Sequence, residues 1–240
     1  MGSLLNEKRN CVKISAIIVA AGSGNRMKNE LISKQFLKIN GKEIFAHSVE
    51  KFERLDCISQ IVVVTSKHYF DYTLDIEKQY GWEKTKVIKG GKERLDSVYE
   101  GLKKLDVDTD IVVIHDGVRP FVKEKNILDI INKTIEEGAC VLAVPVKETV
   151  KVCEDNKVKE TLDRSTLWAI QTPQGFRYKE LLNAYEKFQM NNEIATDDAV
   201  IMEKVGHKIF IVNGDYKNIK ITTPEDIIFV KALLESEDLL

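Results

Sequence analysis

Apolar residues fall along this chain mostly in short unbroken runs. Positions 14–20 (ISAIIVA), 61–64 (IVVV), 111–114 (IVVI) and 141–144 (VLAV) are continuous or nearly so, as in strands buried on both faces of a parallel sheet. Between and after them the pattern predicts helices over 44–54, 92–105, 125–137, 179–188 and 224–234. Strands and helices in alternation predict right-handed βαβ units. The expected fold class is therefore α/β: a Rossmann-like open, mostly parallel sheet with helices on both faces. In such sheets ligands sit beyond the carboxyl ends of the strands.

Residues 146–167 (VKETVKVCEDNKVKETLDRSTL) instead alternate apolar and polar positions around Glu154-Asp155-Asn156. They predict a β-hairpin arm inserted into the α/β domain. A lone hairpin is marginal in water, so the arm is expected to pack on something else, such as another subunit. The expected organisation is a flexible extension over 1–13 and one domain over 14–240.

Composition narrows the function. The 240 residues are 43% hydrophobic and 31% charged, and 36 Lys and Arg against 38 Asp and Glu give a net charge of −2. A general nucleic-acid binder would carry a basic excess. No stretch approaches the ~20 apolar residues of a membrane span, and the polar first 13 residues lack a signal-peptide pattern. A cytoplasmic protein with no membrane or nucleic-acid partner is expected. Cys11, Cys57, Cys140 and Cys153 form no CxxC pair and are read as buried reduced thiols.

The candidate chemistry lies where strands end. The first strand runs into Ala20-Ala21-Gly22-Ser23-Gly24-Asn25-Arg26-Met27. Gly22 and Gly24 permit a tight turn with N–H groups free to face an anion. Met27 stands where a dinucleotide fingerprint needs its third glycine, and no Gly-Lys-Ser/Thr follows, so the P-loop pattern fails too. Arg26 and Lys34 beside that loop suit a polyphosphate whose charge grows during reaction. Asp116 follows the 111–114 run and is placed to bind Mg²⁺ or a sugar hydroxyl, or to cap the next turn; His115 reads as structural. Gly90-Gly91-Lys92-Glu93-Arg94 opens a helix carrying Arg94, Ser97 and Gly101 on one face. Residues 218–226 (NIKITTPED) predict a short strand and then a helix, with Thr223 as N-cap and Pro224 at the first helical position. Thr196-Asp197-Asp198 is another N-cap signal.

Eight segments in order, AAGSGNRM, SKQFLKINGK, GGKERLDSVYEGL, HDGVRPF, AVPVKETVK, DRSTLWAIQTPQGF, ATDDA and NIKITTPEDI, resemble the 2-C-methyl-D-erythritol 4-phosphate cytidylyltransferase family along nearly the whole chain. The resemblance implies transfer of CMP from CTP to a sugar-alcohol phosphate, with release of pyrophosphate, Mg²⁺ as cofactor, and a place in the non-mevalonate route to isoprenoid precursors. It implies that Arg26 and Lys34 stabilise charge on the α-phosphate and on pyrophosphate, while Arg164 and Lys220 hold the substrate phosphate. Backbone at Ala20, Ala21, Gly91 and Lys92, with the Ser97 side chain, would read cytosine. Asp116, Arg119, Thr149 and Thr172 would contact substrate or ribose, with Thr196 close by. Arg164 would cross to the partner of a homodimer.

The chain departs from the family in two places. Ser33-Lys34-Gln35 replaces the usual Pro-Lys-Gln, which is expected to loosen the Lys34 loop. Gly117-Val118 replaces two alanines, with only packing expected to change. The nearest rival is ribitol-5-phosphate cytidylyltransferase, which shares the glycine loop. It typically opens with Ala-Gly-Gly and tends to lack the Asp163–Trp168 stretch. A nicotinamide-dependent oxidoreductase and a non-catalytic nucleotide-binding module rank lower.

Overall fold

The computed structural model describes residues 12–22, 33–191 and 195–237. Seven strands form one sheet: β1 (Ile14–Ala20), β4 (Ile58–Thr65), β5 (Thr85–Lys89), β6 (Ile111–Asp116), β7 (Ala139–Pro145), β10 (Trp168–Arg177) and β11 (Phe210–Asn213). Their order is β11-β7-β10-β6-β1-β4-β5. All pairings are parallel except those of β10, which runs antiparallel to β6 and β7. The helices are α1 (Ile44–Glu53), α2 (Phe70–Tyr80), α3 (Arg94–Leu102), α4 (Glu124–Glu137), α5 (Tyr178–Asn191), α6 (Asp198–Lys204) and α7 (Pro224–Glu237). A small hairpin, β2 (Lys38–Ile39) with β3 (Lys42–Glu43), precedes α1.

The continuous apolar runs follow from this layering. Ile14, Ala16, Ile18 and Ala20 of β1 pack into one core with Phe45, Val49 and Phe52 of α1. Ile17 and Val19 face the other core, with Val98 and Leu102 of α3. Both faces of the strand are buried, so no position between its ends favours a polar residue except Ser15, whose hydroxyl hydrogen-bonds that of Thr109.

Several elements depart from the sequence expectation. α2 buries only Thr73 and Ile76, too thin a stripe to read as a helix. β10 carries Pro173, which has no N–H to give to a ladder, and its pairing with β7 is interrupted between Ile170 and Gln174. The strand expected at the start of 218–226 does not form. Ile221 N–H donates to Val118 O at 2.9 Å, but Val118 lies in the turn after β6, where no ladder continues. The segment crosses the sheet edge as an irregular strap. Pro224 does open α7, and Asp226 accepts the N–H groups of Thr222 and Thr223.

The expected arm is present as β8 (Lys151–Glu154) and β9 (Lys157–Thr161), a separate two-stranded sheet. Its turn residues Asp155 and Asn156 have φ of 49° and 62°, the left-handed pair that a two-residue hairpin turn favours. Every residue of β9 is exposed. Cys153 is exposed on this arm and Cys57 is partly buried, so of the described cysteines only Cys140 is fully buried. The reading of all four as buried thiols is corrected accordingly; Cys11 lies outside the described residues.

Helix α4 lies so close on β10 that only glycine fits at position 175. A Cβ there would come 2.1 Å from Thr134 Oγ1 and 2.8 Å from Ile130 Cγ2. Gly175→Ala is expected to cost roughly 1–3 kcal/mol, lowering the thermal midpoint by about 5 °C. An unchanged midpoint in a melting curve would contradict this packing.

Candidate active site

A cleft of about 380 Å³ opens at the carboxyl ends of β1 and β6, between the Lys34 turn, the start of α3 and the strap. Its floor is Asp116, the last residue of β6. One carboxylate oxygen accepts from Arg94 Nε at 2.9 Å; the other meets Lys220 Nζ at 2.7 Å. Arg94 also reaches Asp198 with Nη2 at 2.9 Å, and Asp198, fully buried, takes the Tyr185 hydroxyl. Two cations and two carboxylates thus alternate from the cleft into the core. Burial alone would raise the Asp116 pKa, but Arg94 and Lys220 outweigh it and hold the carboxyl far below its usual range. Burial likewise works against the Arg94 charge, and Asp198 and Asp116 more than restore it.

Backbone and side chains behind the cleft fix this arrangement. The Asp116 N–H donates to Thr172 Oγ1 at 3.0 Å. The Arg119 carbonyl can only accept, so His115 Nε2 carries a proton and donates to it at 3.2 Å. His115 is fully buried, which favours the neutral ring, and its bare Nδ1 then accepts from the Thr172 hydroxyl, 3.1 Å away. Its burial pushes the pKa down to about 4. Arg119 is buried and donates from Nη1 to Asn218 O at 2.8 Å; Asn218 in turn donates to Thr172 O at 2.9 Å. With the Ile221 bond, these contacts anchor the strap on both sides of Lys220.

Opposite lies the single turn Lys34–Phe36. Gln35 is buried and joins it to the end of β1, donating to Ala20 O at 3.0 Å and Gly22 O at 2.9 Å. Ala20, Ala21, Gly22, Lys34, Lys92 and Ser97 all line the cleft. Ser97 donates back to Glu93 O at 3.0 Å, so toward the cleft its oxygen is an acceptor. Gly91 makes room for the helix start: a Cβ there would fall 2.3 Å from that of Asp96.

The expected residues are not all gathered. Thr172 and Arg119 lie behind the cleft. Thr149, Arg164 and Thr196 are exposed and outside its lining; Arg164 donates to Lys147 O at 2.7 Å, at the root of the arm. Arg26 and Gly24 lie outside the described residues. Both Asp116 oxygens carry cations, and among the described residues no three His, Cys, Asp or Glu gather into a metal cage. Asp116 does not fit as a ligand for a divalent ion in this arrangement. Asp197, part of an N-cap signal, does cap α6 by accepting from Val200 N. Sequence reasoning left Arg94 outside the site and did not weigh Gln35, Asp198 or Asn218 as part of it. Only Arg94 carried a signal, its place on the helix face with Ser97.

Comparison with known proteins adds a second line. Residues 14–236 match the family model for 2-C-methyl-D-erythritol 4-phosphate cytidylyltransferase. The enzyme of that name from Clostridioides difficile is 46% identical over 93% of this chain and 94% of its own. That from Alkaliphilus oremlandii is 44% identical over 95% and 97%. The crystal structure of 4-diphosphocytidyl-2C-methyl-D-erythritol synthase from Anaerococcus prevotii superposes with a TM-score of 0.86 at 35% identity, covering 96% of this chain and 99% of that one. The Francisella tularensis cytidylyltransferase gives 0.78 at 34%, covering 91% and 98%.

The His115 environment sets a pH dependence. An unfolded histidine gains its proton near pH 6.5, whereas His115 in the fold stays neutral down to about 4. Between these values protons favour the unfolded chain, so stability falls as pH falls. The loss from this group between pH 7 and pH 5 should be about 2 kcal/mol in denaturant titrations. The His115 ring resonances should not titrate over that range. A His115 midpoint near 6.5 by NMR would contradict the neutral, buried ring.

Proposed function

The chain belongs to the 2-C-methyl-D-erythritol 4-phosphate cytidylyltransferase family, and from that premise we propose how its residues divide the work. The protein is the enzyme that transfers CMP from CTP to 2-C-methyl-D-erythritol 4-phosphate. A phosphate oxygen of the acceptor attacks the α-phosphorus of CTP, the bond to the β-phosphate breaks, and pyrophosphate leaves. The attacking oxygen is already ionised at neutral pH, so no general base is needed. The work left to the protein is charge neutralisation and in-line placement.

In our reading, Lys34 and Arg26 neutralise the charge that builds on the α-phosphate and on departing pyrophosphate, with Gly22 and Gly24 cradling the chain of phosphates. Lys220 holds the acceptor phosphate, aimed by Asp116. Backbone at Ala20, Ala21, Gly91 and Lys92, together with Ser97, takes the base. Arg119 and Thr172 act through the residues they hold in place, Asn218 and Asp116, while Thr149 and Thr196 are rim contacts. The observation that carries this assignment is the convergence of Lys34 and Lys220 on one cleft at the carboxyl ends of β1 and β6. Mg²⁺ would be held by the CTP phosphates, since both Asp116 oxygens already face cations, Arg94 and Lys220; it would neutralise phosphate charge.

Arg164 is the one expected cation that sits on the arm. An exposed hairpin is a poor mount for a group that must be placed to within about half an ångström. A homodimer in which the arm packs on a second chain gives it support, with Arg164 serving the partner's cleft. We read residues 14–240 as one domain with 146–167 as its arm, and the free Cys57, Cys140 and Cys153 suit the cytoplasm.

With CTP as donor, pyrophosphate release should be rapid with methylerythritol phosphate and slow with ribitol 5-phosphate; the reverse order would overturn the substrate assignment. Lys34→Ala and Arg26→Ala should each lose at least about 100-fold in turnover, roughly 2.7 kcal/mol of transition-state stabilisation. Near-full turnover at saturating substrate in either variant would remove that residue from the mechanism. Mixed Arg164→Ala and Lys220→Ala chains should regain about a quarter of wild-type activity, because half the random dimers are hybrids with one intact site. No recovery despite proven subunit exchange would place the whole site within one chain.

A further inference from the structure

Ser33 stands immediately before Lys34, with φ −63° and ψ 137°. That φ is the value a proline ring would impose, yet the residue is serine and its N–H is used. It donates to the Tyr69 hydroxyl at 2.9 Å. The Tyr69 ring lies stacked on Phe36, two residues beyond Lys34, with centroids 4.2 Å apart and planes 21° from parallel. Phe36 is buried at the edge of the same core, edge-on to Phe45 at 5.3 Å and to Tyr72 at 5.7 Å. Tyr69 is in turn fixed at the entry to α2, where its carbonyl accepts the Thr73 hydroxyl at 2.7 Å. One side chain thus grips the turn on both sides of Lys34, by a hydrogen bond before it and a ring stack after it.

We infer that Tyr69 is a positioning residue for the reaction: its phenol oxygen tethers the backbone at Ser33 and so sets where Lys34 projects into the cleft. The inference rests on the assignment of Lys34 to the transition state. It also revises the expectation that serine in place of proline leaves this loop loose. Proline would fix φ through its ring; here the same φ is held by an N–H that proline lacks. The two solutions exclude each other. A proline at 33 would place its Cδ about 1.5 Å from the nitrogen, along the direction the hydrogen takes, and so inside contact distance of the Tyr69 oxygen.

Mutual exclusion gives a crossed test. Tyr69→Phe keeps the stack and loses the tether. Ser33→Pro supplies the ring constraint but collides with the hydroxyl. Each single variant should lower kcat about tenfold, the size of one hydrogen bond's loss expressed in the transition state, with thermal midpoints within a few degrees of wild type. The double variant Ser33→Pro/Tyr69→Phe should recover to within about threefold of wild type, because phenylalanine makes room for the ring that replaces the bond. Amide exchange at Ser33, read by NMR, should quicken in Tyr69→Phe whatever the activity does. Wild-type kcat in Tyr69→Phe, unchanged Ser33 exchange, or a double variant no better than its parents would each overturn the inference. Lys34→Ala in the same series separates the layers. If it loses turnover while Tyr69→Phe does not, only the positioning role fails; if it keeps turnover, the assignment of Lys34 fails and this inference falls with it.

Discussion

A buried carboxylate with a cation on each oxygen is the constraint around which this site is built. Asp116 ends a strand that is buried on both faces, where an unpaired charge would be expensive. Arg94 and Lys220 make it tolerable, and Asp198 with Tyr185 does the same for the far side of Arg94. Such a chain adds little net stability, since the desolvation of its members offsets most of their attraction. Removing one member is another matter, because it leaves its neighbour buried and unpaired, at about 3–5 kcal/mol. What the arrangement secures is geometry: the Lys220 ammonium is held at the cleft by a carboxylate that has no freedom to move.

That geometry fits the chemistry. Transfer between phosphates that are ionised from the start asks for fixed positive charge more than for proton transfer. Two titratable groups at the cleft floor and behind it are pushed away from neutrality: Asp116 far down, His115 down to about 4. The neutral His115 is a spacer with defined hydrogen-bond polarity, passing orientation from Arg119 through Thr172 to the Asp116 backbone. The charge pattern of the cleft floor should therefore hold constant across the pH range in which the substrates ionise.

Much of this was legible in the sequence for a physical reason. A strand covered on both faces must be apolar throughout, so β1, β4, β6 and β7 announced themselves, and the carboxyl-end rule then pointed to Gly22, Asp116 and the start of α3. The arm was legible because its alternation contrasts with those runs. What stayed hidden depends on partners distant in sequence. Nothing near Arg94 signals Asp198, 104 residues away; nothing in NIK shows that Asn218 and Ile221 pin an irregular strap to the turn after β6. β10 escaped because proline, glycine and polar residues interrupt it, and α2 because it buries too little to show a period. Ser33 looked like a loss, since the bond that offsets it comes from Tyr69, 36 residues on.

The account turns on the claim that the Arg94 fork, by gripping Asp116 and Asp198 together, keeps Lys220 aimed at the substrate phosphate. Arg94→Lys tests it directly, because lysine keeps the charge and loses the two-pronged grip. Steady-state kinetics at saturating CTP should show turnover down at least about tenfold, with a raised KM for methylerythritol phosphate, in a protein that still folds cooperatively. Turnover and KM within about twofold of wild type would contradict the claim, and would make the buried chain a feature of packing alone.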